Sequence, residues 1–235
     1  MRILITIPTW NEARIIARSV GIVRDAASTY LPGHDVVIEV SDNASTDGTA
    51  DVAERAGATV LRLQEKGKGI AIRRSWERHC DDADILVFTD ADLATDLSAL
   101  PALIAPLLTT DSFNIVCGSR FVSGAVCERR PSREAASRLY RVLQRLILGL
   151  PVHDAQCGFK AMTSSGARMV LPLCRENGWM FDSELLAIAT KKGLKIAEIP
   201  VHWIEHRDPE RRSALRLFRD GWGFLLGLAN IWWRI

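Results

Sequence analysis

Three aspartates, Asp90, Asp92 and Asp96, follow directly on the apolar run Ile85-Leu86-Val87-Phe88. Their charges repel one another unless solvent, a basic side chain or a metal ion answers them. Asp90 and Asp92 stand two apart, so an extended backbone would turn both carboxylates to one face. Hard oxygen ligands in that arrangement suit Mg²⁺ or Mn²⁺, held through one or two carboxylates with phosphate oxygens completing the shell. The competing reading is a solvated acidic helix start. Asp96 fits that reading better, as the N-cap of a helix beginning at Leu97.

A second acidic stretch, "SDNASTDGT" at 41–49, reads as a turn and helix start, with Ser45, Thr46 and Asp47 able to cap. Its spacing fails the calcium loop pattern, which needs a distal glutamate. Asp42, at the end of an apolar run, is suited to accept hydrogen bonds from the ring N–H of a nucleotide base. "EKGKGIAIRRS" at 65–75 sets Gly67 and Gly69 around Lys68 ahead of a helix, which favours phosphate. It is not a P-loop, whose glycine lies four residues before its GK[ST]. "HWIEH" at 202–206 matches an inverted zinc-protease pattern that requires a helix. Ala197, Ile199, Val201 and Trp203 alternate instead, which is strand periodicity and removes the zinc reading. From Arg120 to Arg145, seven arginines against Glu128 and Glu134 leave five positive charges. Such a block is either a solvated basic helix or the seat of an anionic partner.

These residues need elements to hold them. Strands are predicted over Ile3–Ile7, Asp35–Val40, Thr59–Leu63, Asp84–Thr89 and Asn114–Gly118. Helices are predicted over Glu12–Tyr30, Thr49–Ala56, Lys68–His79 and Leu97–Leu108. That βαβα rhythm implies an α/β protein with a mostly parallel central sheet flanked by helices. Ligands in such folds collect beyond the carboxyl ends of the strands. The loops "IPTWNEA", "SDNASTDGT" and "TDADLATD" all fall on that edge. With 235 residues, 48% hydrophobic and 25% charged, the chain has the make-up of an ordinary globular domain. Its net charge of +2 gives no reason to expect a nucleic-acid partner. Five scattered cysteines without a CxxC argue against a disulfide framework and for a reducing compartment. "GWGFLLGLANIWW" at 221–233 carries no charge for 13 residues. A helix of that length rises roughly 20 Å, short of a hydrocarbon core about 30 Å thick. It either packs on the core or lies in a membrane interface.

The motifs "IPTWNEA", "DNASTDGT", "GKGIAIR", "TDADLAT", "GSR", "DAQCGFKAM", "WMFDSELL" and "EIPVHW" occur in order across nearly the whole chain. Together they resemble the family 2 glycosyltransferases with the GT-A fold, and among them the dolichyl-phosphate glucosyltransferases and mannose synthases. The resemblance implies one catalytic domain over 1–220, which leaves 221–235 as an apolar C-terminal segment with the same two readings, core-packed or membrane-interfacial. It implies a nucleotide-sugar donor and a polyprenyl phosphate acceptor. Pro8, Trp10 and Glu12 would line the nucleoside pocket and Asp42 would hold the base. Gly67 and Lys68 would border the phosphate and ribose. Asp90 and Asp92, with Ala91 between them, would meet the metal and diphosphate. Arg120 would meet phosphate, and the block containing Arg130 and Arg133 would receive the acceptor's phosphate. Arg207, Arg211 and Arg212 would close over the donor. Asp182 and Glu184 would either support the acceptor side or serve the fold.

Two positions depart from the family pattern. Asn43 stands where a second aspartate is familiar. Ala94 stands where the mannose synthases carry a glutamine two after the second metal aspartate, which tilts the expected donor toward UDP-glucose over GDP-mannose. The implied reaction is direct, inverting attack of a lipid phosphate oxygen on the anomeric carbon. Its expected setting is the cytoplasmic membrane face, with a peripheral attachment and scope for a separate membrane subunit. A non-lipid acceptor is the alternative within the family.

Overall fold

The computed structural model describes residues 1–109, 113–128, 141–204 and 217–235. Strand β1 (Arg2–Thr9) is buried along its length on both faces, as expected of a central parallel strand. Helix α1 (Ile16–Tyr30) follows, then β2 (Asp35–Asn43), α2 (Thr49–Arg55), β3 (Thr59–Leu63), α3 (Lys68–His79) and β4 (Ile85–Thr89). These strands pair in parallel in the order β3-β2-β1-β4. The second half adds α4 (Leu100–Ile104), β5 (Ile115–Ser119), β6 (Val126–Glu128), helical residues 141–148 (α5) and β7 (Phe159–Thr163). It continues through α6 (Ser164–Val170), α7 (Phe181–Lys191), β8 (Ile196–Pro200), β9 (His202–Ile204) and α8 (Leu217–Arg234). Strand β7 inserts antiparallel between β4 and β5, giving one seven-stranded sheet, β3-β2-β1-β4-β7-β5-β8. Strands β6 and β9 form a small separate ribbon.

Alternation along β1 sends its side chains to two cores. Ile3, Ile5 and Ile7 pack with Ile16, Val20 and Val23 of α1 and with Leu100 and Leu103 of α4. Leu4 joins Ile72 and Trp76 of α3 with Phe181 and Leu185 of α7 on the other face. The carboxyl ends of β2, β1 and β4 are thereby adjacent, and the polar loops that leave them share one edge.

Several expectations are met and two are corrected. Helix α3 and strand β3 have the predicted bounds. "HWI" is a strand, as its alternation required. The helix predicted from Glu12 starts at Ile16, because 11–13 are drawn into bonds with the next loop. Asn11 N donates to Ser45 Oγ, Glu12 N to Thr49 Oγ1 and Ala13 N to Asp47 Oδ2. The helix predicted over Leu97–Leu108 is broken into 3₁₀, α and 3₁₀ turns, with Pro101 and Pro106 at the starts of the latter two. Each proline removes a donor and clashes with the preceding turn. Asp96 is the expected cap: its Oδ1 accepts from Ser98 N at 2.9 Å.

Candidate active site

The three edge loops are tied together by backbone and side-chain bonds. Thr9 of β1 sits opposite Asp42 of β2 in the parallel register. Asn43, the departure from the family's paired aspartates, donates Nδ2 to Thr9 O at 2.6 Å and accepts from Gly67 N at 3.0 Å. An aspartate could accept from Gly67 but could not donate to Thr9, so Asn43 joins three loops where a second carboxylate would join two. Gly67 has φ 151°, and a Cβ on it would fall 2.1 Å from Asn177 O. Only glycine lets the 174–180 loop close on the start of α3.

Asp42 is 5% exposed, with Oδ2 accepting from Ser45 N at 3.4 Å. Its Oδ1 is buried with no hydrogen-bond partner. A buried carboxylate oxygen left unsatisfied costs free energy unless a ligand's N–H completes it. Pro8 is buried beneath this edge and Trp10 is exposed on it, with the Lys66 ammonium 3.1 Å above its ring. Glu12, at the head of the first loop, has its backbone N–H held by Thr49.

The aspartates after β4 differ from the sequence expectation. The backbone does not stay extended after Asp90: Leu93 N bonds back to Asp90 O at 3.0 Å, and Leu93 has φ 49°. The turn removes the period-two geometry that would have set Asp90 and Asp92 on one face. Asp90 is instead seated by its neighbours. Its Oδ1 lies 2.7 Å from Lys68 Nζ, and a Cβ on Gly158 would fall 1.8 Å from its Oδ2. Asp92 Oδ1 accepts from Ala94 N at 3.3 Å. Ala91 is buried, its carbonyl accepting from Ser19 Oγ at 2.7 Å. Ala94 contributes its backbone: its carbonyl takes Ile204 N, which with the Thr95–Trp203 bridge lays β9 alongside this loop.

A hard divalent cation fits these residues. Two carboxylates at a strand end, one of them packed directly against Gly158, are the right donor type. Among the described residues no group of three or more His, Cys, Asp or Glu could cage an ion. Water and phosphate oxygens would supply the other positions, as is usual for Mg²⁺ and Mn²⁺.

Behind the aspartates lies a chain of buried charges. Lys160 is fully buried, in register with Phe88 and Cys117, and its Nζ lies 2.6 Å from Asp182 Oδ1. It also donates to Cys157 O at 2.5 Å. Asp182, in the first turn of α7 and 1% exposed, faces Lys68 as well, 3.9 Å away. A carboxylate at a helix start is favoured by the helix dipole; Lys68 at the start of α3 is not, and its aspartates compensate. Burial would lower both lysines' pKa values, yet Asp90 and Asp182 raise that of Lys68, and Asp182 with other neighbours that of Lys160. Both stay charged.

Arg120, expected to meet phosphate, has much of its donor fork committed. Nε donates to Asp154 Oδ2 at 2.7 Å and Nη2 to Oδ1 at 2.8 Å, while Arg120 N also donates to Oδ2. The guanidinium is thus clamped for the fold in this state and does not present its full fork to a phosphate. Arg141, from the end of the arginine block, stacks 3.1 Å over Phe121 next to Arg120. Glu184 serves the fold: it accepts from Arg175 N and Glu176 N and pairs with Arg234 at 2.9 Å. Arg130, Arg133, Arg207, Arg211 and Arg212 lie outside the described residues. Sequence reasoning missed Lys160, Asp154 and Gly158. A lysine inside the apolar strand "GFKAM" was the available signal, because such a charge must be paired.

A family model described as glycosyl transferase family 2 matches residues 4–168. The undecaprenyl-phosphate mannosyltransferase of Micrococcus luteus is 31% identical over 91% of this chain and 88% of its own length. The dolichyl-phosphate beta-glucosyltransferase of Dictyostelium discoideum is 30% identical over 83% of this chain and 65% of its own. Glycosyltransferase AglD of Haloferax volcanii is 30% identical across 100% of this chain, which spans only 38% of that relative. Among solved structures, the glucosyl-3-phosphoglycerate synthase of Mycobacterium tuberculosis in complex with UDP superposes at a TM-score of 0.72. It is 26% identical and covers 98% of this chain and 79% of that one. The same enzyme with Mn²⁺, UDP-glucose and glycerol 3-phosphate gives 27% identity and a TM-score of 0.70. With that match and these relatives, the chain belongs to glycosyl transferase family 2 and carries its GT-A fold.

Proposed function

We propose that this enzyme transfers a hexose, with inversion, from a nucleotide diphosphate sugar to a polyprenyl phosphate, dolichyl or undecaprenyl, using Mg²⁺ or Mn²⁺. UDP-glucose is the first-choice donor. The observation that carries the reading is the buried, unpartnered Asp42 Oδ1 at the end of β2, on the same edge as Asp90 and Asp92. That oxygen can accept the ring N–H of uracil, while Trp10 offers an aromatic surface and Gly67 and Lys68 border the diphosphate. The absence of a glutamine at Ala94 supports glucose, and the solved relatives that bind UDP support the base.

A lipid phosphate oxygen is anionic at neutral pH, so the attack needs orientation more than a strong general base. Asp90 and Asp92 would hold the divalent ion, which would neutralise charge building on the leaving diphosphate. Lys68 and the arginines of 129–138 would add fixed positive charge on the donor and acceptor sides. Two further readings each rest on a relative. The Micrococcus mannosyltransferase favours GDP-mannose, and the mycobacterial synthase favours a small acceptor in place of a lipid.

The lipid reading places the enzyme peripherally on the cytoplasmic membrane face. Helix α8 supports this: Leu228 and Ile231 are buried, whereas Leu226, Trp232 and Trp233 are exposed by 68%, 61% and 82%. Among the described residues no helix is long and apolar enough to cross a membrane. Exposed tryptophans at the end of such a helix suit the headgroup layer, and a separate membrane subunit would be a second means of presenting acceptor. In liposome sedimentation the full chain should pellet with anionic vesicles more than a chain lacking 221–235; equal recovery in the supernatant contradicts the attachment.

Purified protein with Mn²⁺ should move label from UDP-glucose to undecaprenyl or dolichyl phosphate. No transfer to either lipid from UDP-glucose or from GDP-mannose refutes the lipid reading. Transfer to 3-phosphoglycerate in preference to the lipids would establish the small-acceptor one.

A further inference from the structure

We propose that Lys68 is a built-in counter-ion that holds Asp90 against a divalent cation until a nucleoside diphosphate arrives, so that metal and diphosphate enter together. The inference rests on the donor and metal reading above. Lys68 Nζ lies 2.7 Å from Asp90 Oδ1, a contact in the range of a charge-assisted hydrogen bond. The other oxygen of Asp90 sits over Gly158, where even a Cβ would not fit. A metal ion that takes Asp90 therefore meets a carboxylate already neutralised, with an ammonium directly beside it.

The ammonium has no easy exit to solvent. Its side chain is 11% exposed, with the ring centroids of Phe88 and Trp179 at 5.3 Å and 5.5 Å. Among the described residues, the other carboxylate paired with Lys68 is Asp182, whose Oδ2 is 3.9 Å away and whose Oδ1 is already held by Lys160. Lys160 repels a second ammonium on that carboxylate, so Lys68 gains little by moving there. A diphosphate changes the balance. It brings its own negative charge to the start of α3, where Lys68 stands, and gives the ammonium a new partner as the metal takes Asp90. Two ligands that each relieve the other's cost bind with positive coupling, and the coupling is reciprocal. A ligand with a single phosphate carries less of that charge and couples less.

The test follows free Mn²⁺ by its paramagnetic resonance signal in the wild type, Lys68→Met and Lys68→Arg, with no nucleotide, with UMP and with UDP. The wild type should bind Mn²⁺ weakly alone and on the order of tenfold or more tightly with UDP, with UMP well behind. Lys68→Met should tighten Mn²⁺ binding without nucleotide by on the order of tenfold and lose most of the UDP effect. Lys68→Arg, which keeps the charge, should behave as the wild type. Equal Mn²⁺ affinity in wild type and Lys68→Met without nucleotide overturns the inference while leaving the metal reading intact. Absence of Mn²⁺ binding in every form, UDP included, overturns both. Should Lys68→Met not fold, the wild type decides alone: the same Mn²⁺ affinity with UDP as without it contradicts the proposal.

Discussion

Asp42 and Lys160 are both buried charged residues on the central sheet, yet the protein treats them differently. Lys160, on β7 between β4 and β5, is answered by Asp182 and by Cys157 O. Asp42, at the carboxyl edge of β2, keeps one buried oxygen with nothing to bind. Burying an unsatisfied polar oxygen is costly, and a protein tolerates it where a ligand repays the cost. The same contrast separates the halves of the sheet. Strands β5 and β7 with α7 hold matched pairs, Arg120–Asp154 and Lys160–Asp182. The β1, β2 and β4 edge carries the partly exposed Asp90 and the unfinished Asp42. On the proposed function, the first region holds the shape and the second is the one left to bind.

That division can be broken by substitution. Lys160→Ala should cost the most stability, about 3–5 kcal/mol in urea unfolding, because it strands Asp182 in a buried site. A double replacement, Lys160→Met with Asp182→Leu, should recover much of that loss; no recovery would show that the pair does more than neutralise itself. Asp92→Asn should do the reverse, cutting sugar transfer on the order of 100-fold or more while moving stability by only about 0.5 kcal/mol. A large stability loss in Asp92→Asn would place it with the matched pairs instead.

Smaller effects sharpen the contrast. Asp42→Ala should weaken nucleotide binding by about 1.5–3 kcal/mol, the range of hydrogen bonds to a charged group. Its unfolding free energy should stay level or rise, since a buried orphan oxygen is removed. The Arg120–Asp154 pair should show itself in pH dependence. Burial alone would raise the Asp154 carboxyl, but Arg120 prevails and holds it below its ordinary 3.8. A carboxyl depressed in the folded state adds stability above its unfolded value and loses it as pH falls through the folded one. The stability gap between wild type and Asp154→Asn should therefore be constant above about pH 5 and shrink below about pH 4. A gap that closes near neutral pH would contradict the clamp.

Much of the candidate edge was legible in sequence because it depends on local order. Asp42 and Asp90 sit where strands give way to loops and Lys68 where α3 begins, positions that periodicity locates. The cap at Asp96 was readable for the same reason, through a bond two residues on. What local order cannot supply is partner choice. Lys68 was expected beside phosphate, but the fold brings Asp90 to it from 22 residues along. Gly158 reaches Asp90 only because β7 runs antiparallel beside β4, a pairing of distant segments. The prolines at 101 and 106 were visible and still outweighed by the apolar pattern around them. Glu184 resembled a site residue through its motif, yet its bonds to Arg175, Glu176 and Arg234 give it to the fold.

The claim that the carboxyl edge of β1, β2 and β4 is the donor site can be tested by locating the metal in solution. Substoichiometric Mn²⁺ with UDP, added to isotopically labelled protein, broadens the amide resonances nearest the ion. Broadening should centre on residues 89–95 and reach 42–46 and 66–69, and Asp92→Asn should abolish it. Broadening centred instead on the acidic cluster of Glu39, His79 and Asp82 toward the opposite edge, or unchanged in Asp92→Asn, would contradict the account.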